Sequence, residues 1–142
     1  MVAMPPAFSP LDAALARVGD RWALLLVDAM LGGPRRFSEL SDSLAGIASN
    51  VLSHRLKMLE RAGVVVATPY SERPLRMAYE LSAAGRELAG ALRLLAQWGA
   101  GSAGDEDLLR HAACGTPVEA RWYCPACDEA VDDDDAADLH FL

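Results

Sequence analysis

The sequence predicts a mainly α-helical fold with one small β-hairpin (α+β), followed by a short appendage. Three observations lead to this prediction. Apolar residues recur at helical spacing in four stretches between residues 10 and 62. The period then changes to that of two short strands within residues 64–81, and a further amphipathic stretch follows. Beyond it, residues 105–142 are acidic and contain all three cysteines.

The first two stretches predict a pair of helices. Pro10 opens the first, and Gly19 ends it. Asp20 is the expected N-cap of the second, which stops at Gly32-Gly33-Pro34. The buried face predicted for this second helix consists of Trp22, Leu25, Leu26, Ala29 and Met30.

The next two stretches predict a short helix and a longer one with a turn between them. Ser38 is the expected N-cap of the short helix, and Ser49 that of the longer helix, which runs to about Ala62. The longer helix buries Leu52, Leu56 and Leu59. Its opposite face carries small polar and basic side chains: Asn50, Ser53, His54, Lys57 and Arg61.

A hairpin and a long helix complete the body. Residues 64–68 and 77–81 are the predicted strands, and residues 70–75 the turn, with Arg73 and Arg76 at the tip. Ser82 is the expected cap of one continuous helix. Its apolar stripe is Ala84, Leu88, Ala91, Leu92, Leu95 and Trp98.

This order of elements is that of a winged helix-turn-helix, with a recognition helix at about 49–62 and a wing at about 64–81. A polar outer face on one helix is usually just solvated, so the ordered set is what favours double-stranded DNA as the partner. Asn50 is suited to an adenine edge, and His54 or Arg55 to guanine. The full set of predicted DNA contacts is Arg35, Arg36, Ser38, Ser49, Asn50, Ser53, His54, Arg55, Lys57, Arg73 and Arg76.

Charge is distributed unevenly along the chain, whose formal net charge is −7. Residues 33–86 hold eight Lys/Arg against five Asp/Glu, whereas residues 105–142 hold two against eleven. A basic middle suits DNA, and an acidic end limits non-specific binding. The sequence contains no signal peptide, no membrane-length apolar run and no catalytic motif, so we expect a cytoplasmic protein that is not an enzyme.

Several segments resemble the HxlR-type winged helix regulators of bacteria over about residues 9–99. The clearest are Gly19-Asp20-Arg21-Trp22, Phe37-Ser38-Glu39-Leu40, Val51-Leu52-Ser53-His54-Arg55-Leu56 and Leu59-Glu60-Arg61-Ala62-Gly63-Val64. The resemblance implies homodimers on pseudo-palindromic operators. The last helix fits a dimer contact through Leu88, Leu92, Leu95 and Trp98.

One position departs from that family. Many members carry a cysteine just before the first helix, and some use it to sense aldehydes or oxidants, but Ser9 stands here. A serine hydroxyl supplies no thiolate at neutral pH, so we expect no thiol sensing at this site.

The tail contains His111-x-x-Cys114 and Cys124-x-x-Cys127. Four such donors are what a tetrahedral structural zinc site needs, which predicts a zinc-ribbon-like appendage. Two alternatives remain at this point: a reducible dithiol of Cys124 with Cys127, or inert cysteines. His111 is the weakest ligand, since it also reads as the surface end of a helix through Leu108 and Leu109.

The predicted organisation is a DNA-binding and dimerisation domain over 1–99, a linker over 100–104 and an acidic tail over 105–142. The expected function is that of a sequence-specific transcriptional regulator. A winged-helix and zinc-ribbon protein-interaction factor, without sequence readout, is the alternative. A small apolar cavity for an effector, between the dimer helix and the first two helices, is compatible with the sequence.

Overall fold

The computed structural model describes residues 9–101, 109–131 and 139. Contacts divide the chain into two compact units, Met1–Leu92 and Arg93–Leu142. Part of the predicted linker and the acidic run at 132–135 lie outside the described residues.

Six helices and five strands follow one another along the described chain. The helices are α1 Pro10–Val18, α2 Arg21–Met30, α3 Phe37–Ser43, α4 Ser49–Arg61, α5 Ala83–Arg86 and α6 Ala89–Ala100. The strands are β1 Arg35–Arg36, β2 Val65–Glu72, β3 Leu75–Leu81, β4 Trp122–Cys124 and β5 Glu129–Val131. None of these helices has the length and apolar character needed to cross a bilayer.

The predicted N-caps are confirmed in α2 and, at Ser82, in α5, but not in α3 or α4. The Asp20 carboxylate accepts hydrogen bonds from the first backbone N–H groups of α2. The predictions for Ser38 and Ser49 are wrong, because the caps are Arg36 and Ala48 and both serines lie within the first helical turn. At α4 the Ala48 carbonyl already accepts from the Leu52 N–H at 2.9 Å, so the helix begins one residue early.

The wing is longer than predicted and belongs to a three-stranded antiparallel sheet in the order β1-β3-β2. Residues 70–75, predicted as a broad turn, are largely paired: Ser71 lies opposite Arg76, and Glu72 opposite Leu75. A register shift between Pro69 and Ser71 lets the ladder continue past the proline. The sheet therefore extends almost to the tip of the hairpin.

The helix after the wing is two helices, so the prediction of one continuous helix is wrong. At Gly85 an added Cβ would lie 2.2 Å from the Val64 carbonyl oxygen, so the chain is packed directly against the start of the wing. The Leu88 N–H bonds to the Gly85 carbonyl at 3.2 Å, a tight turn that ends α5. The contact between Gly85 and Val64 therefore determines where α5 ends and α6 begins.

The core lies in the first unit and is made mainly of leucine and valine. The prediction for α4 is confirmed, since Leu52, Leu56 and Leu59 are all buried. The prediction for α2 is partly wrong: Leu25 is exposed, whereas Ala23 and Val27 are buried. Each fully buried leucine contributes about 1.5–3 kcal/mol, so the inner face of α4 is strongly held. The polar face of α4 is consequently turned outward.

Candidate nucleic-acid interface

The outer face of α4 is the exposed polar surface that the sequence predicts. Ser49, Asn50, His54 and Lys57 are exposed, and Ser53 is half-buried. The first three positions that face outward carry short side chains, which allow a helix to approach base edges closely. This face has the composition expected of a helix that enters a major groove.

Arg55 lies on α4 but differs from its neighbours. Its Nε donates to Oδ1 of Asp20 at 2.9 Å, and its side chain is only 25% exposed. The same Oδ1 accepts from the backbone N–H groups of Trp22 at 3.0 Å and Ala23 at 3.2 Å. Arg55 therefore joins the recognition helix to the start of α2, a role that no local sequence signal reveals.

Arg36 is held beside the wing by an aromatic ring. Its guanidinium carbon lies 4.4 Å from the ring centroid of Tyr70, a cation–π contact. The backbone of Arg36 pairs with Ala78 of β3, and its N–H donates to the Glu39 carboxylate at 2.7 Å. An exposed arginine is thus fixed at the junction of the wing and α3. The sequence alone does not reveal the contribution of Tyr70.

The remaining predicted cations lie near this surface or at the wing tip. Arg73 lies in the turn between β2 and β3, and Arg76 is the second residue of β3; both are exposed. The Ser71 hydroxyl donates to the Pro74 carbonyl across this turn at 2.9 Å. Arg35 is half-buried at the edge of the sheet, and Ser38 is exposed in the first turn of α3. The wing thus presents two arginines at its end.

The C-terminal end of α4 is bonded to α1. Arg17 of α1 donates from Nη2 to the carbonyl of Ala62, the C-cap of α4, at 2.5 Å. A cation at a helix C-terminus also interacts favourably with the helix dipole. Beside this contact lies an open cavity of about 310 Å³, which Arg17 and Glu87 line together with apolar side chains of α1 and the α5 region.

The predicted dimer residues are not equivalent. Leu95 is 50% exposed and Trp98 is 82% exposed, as an association surface requires. Leu92 is buried in the core of the first unit and Leu88 is half-buried against it, so less of these two side chains is exposed to a second copy than the stripe suggests. The apolar stripe divides in this way because Leu92, near the start of α6, packs into the core, whereas Leu95 and Trp98 further along the helix remain exposed. On α1, Leu11 and Leu15 are 67% and 51% exposed.

The cysteine tail forms two separate turns. His111 Nδ1 lies 3.4 Å from Cys114 Sγ at the first turn, and Cys124 and Cys127 are hydrogen-bonded neighbours at the second. A hydrogen bond from the Thr116 side chain lowers the pKa of Cys114. The backbone N–H of Cys127 lowers the pKa of Cys124, while the Cys124 side chain raises the pKa of Cys127.

The structure brings these four donors together only in pairs. Within residues 9–101 and 109–131 no group of three or more His, Cys, Asp or Glu is placed to hold a metal ion. His111 is not the end of a helix, since its neighbour Arg110 forms a β-bridge with Pro117.

Comparison with known proteins identifies relatives for this arrangement. The family model described as HxlR-like helix-turn-helix matches residues 17–107. The HTH-type transcriptional regulator Rv3095 of Mycobacterium tuberculosis is 40% identical over 127 residues, which cover 83% of this chain and 77% of the relative. The resemblance to this family is therefore not confined to the short motifs but covers residues 17–107 of the chain.

Solved structures of candidate transcriptional regulators have a fold similar to that of this chain. The candidate HTH-type transcriptional regulator YtcD superimposes with a TM-score of 0.61 at 34% identity, over 66% of this chain and 95% of YtcD. The candidate transcription factor PA1607 superimposes with a TM-score of 0.74 at 31% identity, over 91% of this chain and 92% of PA1607. Residues 1–99 alone cannot supply a 91% share, so the second likeness reaches into the tail.

Proposed function

This chain belongs to the HxlR-like helix-turn-helix family of transcriptional regulators, and from that premise we propose that it binds DNA sequence-specifically as a homodimer on pseudo-palindromic operators. The observation that carries the proposal is the division of α4 into a buried leucine face and an exposed polar face. A helix anchored in this way can enter a major groove without losing its packing.

Each exposed group has a proposed role on the duplex. Asn50 reads an adenine edge and His54 a guanine, while the small hydroxyls of Ser49 and Ser53 permit close approach. Lys57 lies a turn further along α4, where phosphate is within reach. The remaining proposed contacts, with phosphate or the adjacent minor groove, are Arg35, Arg36, Ser38, Arg73 and Arg76.

We assign Arg55 a different role from the guanine contact that its position in the sequence suggests. Its Nε is occupied by Asp20 and three quarters of its side chain is covered. It therefore positions α4 on α2 and does not itself meet the bases. A base contact would require the loss of the ion pair with Asp20.

The proposed dimer surface is the exposed end of α6, and the exposed leucines of α1 offer a separate apolar surface for contact with a second copy. Leu95, Trp98, Leu11 and Leu15 are among the most exposed large apolar side chains of the described residues. Covering them with a second copy removes apolar area from water, at about 25 cal/mol per Å². Two-fold symmetry then pairs two α4 helices with two half-sites one helical turn apart, about 34 Å.

The decisive experiment is selection of binding sites from random duplexes by the purified full-length protein, followed by footprinting on the selected site. We expect an inverted repeat. Weak binding without a preferred site, with a steep loss on adding salt, would instead indicate a protein-interaction factor and would overturn the proposal.

Two substitutions test the reading face on the selected site. Asn50→Ala should cost about 1–3 kcal/mol and relax the preference at one position of each half-site, because a bidentate contact is lost. Arg73→Ala is the matched control at the wing. It should weaken binding to all sequences about equally and lower the salt slope by about one. If both variants bound like the parent protein, the placement of the reading face would be refuted.

A further inference from the structure

We propose that the two turns at His111–Cys114 and Cys124–Cys127 are the two halves of one four-ligand zinc site, and that the ion fastens residues 109–131 into a single ribbon. The inference is independent of DNA binding. It rests on the geometry that the two turns share, on the distance between the two donors of the first turn and on the exposure of the segment around them.

The two turns have the same backbone. In the first, the N–H of Gly115 donates to the carbonyl of His111 at 2.8 Å. In the second, the N–H of Asp128 donates to the carbonyl of Cys124, also at 2.8 Å. The residue after the second donor is left-handed in both, with φ of 71° at Gly115 and 57° at Asp128. Two unrelated sequences thus adopt one conformation around each pair of donors.

Both turns close a short antiparallel pair. Around the first, Arg110 bridges Pro117, and the His111 N–H donates to the Thr116 carbonyl at 2.9 Å. The second lies at the end of β4 and β5, where Cys124 is opposite Glu129. Each pair of donors therefore projects from the closed end of a two-stranded ribbon, where a tight turn holds the two side chains side by side.

The distance between the two donor atoms of the first turn suits a zinc ion. With Zn–S of about 2.3 Å and Zn–N of about 2.0–2.1 Å at a tetrahedral angle, the nitrogen and sulfur lie roughly 3.5 Å apart. The observed separation of His111 Nδ1 and Cys114 Sγ is 3.4 Å. A zinc ion can occupy this half-site with little movement of either side chain. Three thiols and one imidazole are the soft and borderline donors that zinc takes in structural sites.

The described part of the tail, residues 109–131, has little buried apolar surface. Of residues 109–131, only Cys124 and Val131 are even half-buried, and the large rings of Trp122 and Tyr123 are 56% and 59% exposed. A ribbon without an apolar core gains its folding free energy from a metal or a covalent bridge. The ion draws the second half-site onto the first, which completes the four donors that the described residues hold only in pairs.

A reducible Cys124–Cys127 dithiol explains less. It gives no role to His111 or Cys114 and leaves the matching conformation of the two turns unexplained. One shared ion explains both turns at once.

The test uses the untagged full-length protein, expressed with zinc and purified without chelator. We expect about one zinc per chain by elemental analysis. All three thiols should resist alkylation until a strong chelator is added, after which protease should cleave the tail. Cys114→Ala and Cys127→Ala should each lose most of the metal, because each removes a ligand from a different half-site. Glu119→Gln, which removes an exposed carboxylate of the same segment outside both turns, is the matched control and should keep its zinc.

Four results would overturn the proposal. The first two concern metal content: less than about half an equivalent of zinc in the parent protein, or one zinc per two chains. The other two concern the thiols: all three react without chelator, or Cys124 and Cys127 form a reversible disulfide in protein free of metal. Binding to the selected operator, measured on the same preparations, shows that the body is folded. It also separates failure of the zinc site from failure of the proposed DNA-binding function.

Discussion

A single carboxylate oxygen connects two helices in this protein. Oδ1 of Asp20 caps α2 and also receives Nε of Arg55 from α4. The sequence predicts the cap, because Asp after a helix-ending Gly is a local signal. It does not predict the ion pair, because the two residues are 35 positions apart and meet only when α4 lies on α2. Because the sequence does not reveal this long-range ion pair, it predicts Arg55 as a DNA contact.

This residue-scale arrangement gives a testable expectation for Arg55→Ala and Asp20→Asn. The amide oxygen of asparagine can still cap α2, so both variants remove chiefly the link between the helices. The groups are 25% and 36% exposed, so the loss of unfolding free energy should be below about 1 kcal/mol. Operator affinity should fall in both without a change in preferred sequence, as measured by titration on variant operators.

The double variant is the control for that expectation. It should bind DNA no worse than Arg55→Ala alone, since the two groups act through one contact. Lys57→Ala combined with Asp20→Asn should instead be additive. A change of preference at one operator position in Arg55→Ala, without any change in Asp20→Asn, would show that Arg55 reads a base.

At the scale of elements, the first four helices can be predicted from the sequence, whereas the edge strand β1 and the break between α5 and α6 cannot. The leucine spacing of α4 fixes its buried face from the sequence alone. Strand β1 has only two residues, Arg35 and Arg36, and no local pattern. It exists because β3 offers a free edge. The break between α5 and α6 likewise depends on Gly85 meeting the Val64 carbonyl, a contact that periodicity does not encode.

The contact between the wing and β1 predicts a graded effect at Tyr70. Tyr70→Phe should retain DNA affinity, because the ring that faces the Arg36 guanidinium remains. Tyr70→Ala should weaken binding to all sequences, by about 0.5–1 kcal/mol, as Arg36 loses its fixed position. Fluorescence anisotropy on matched and scrambled operators measures both. Equal binding by the alanine variant would show that the stacking does not matter.

At the scale of the whole molecule, the charges and the exposed apolar residues are distributed unevenly along the sequence. The acidic tail has a charge opposite to that of the DNA-binding region, and the exposed end of α6 lies between these two parts of the sequence. The apolar stripe itself could be predicted. Its division into the buried Leu92 and the exposed Trp98 could not, because it depends on where α6 enters the core.

Trp98→Glu tests the association surface. A charge at this position should shift sedimentation equilibrium from dimer to monomer at micromolar concentration, because the carboxylate would be desolvated in the contact. The circular dichroism spectrum should be unchanged, since Trp98 is 82% exposed in the single chain. Gln97→Glu adds the same charge one residue away and is the control. A dimer that survives Trp98→Glu would place the association surface elsewhere.

The hydrogen bond from Arg17 to the Ala62 carbonyl has a consequence for regulation. It joins the last turn of the reading helix to α1, the helix that carries the exposed Leu11 and Leu15. In a dimer that uses Leu11 and Leu15, a shift of α1 would therefore be passed through this bond to the end of α4. In such a dimer the preferred spacing of the operator half-sites and the strength of self-association would be coupled, and selection on either one would constrain the other.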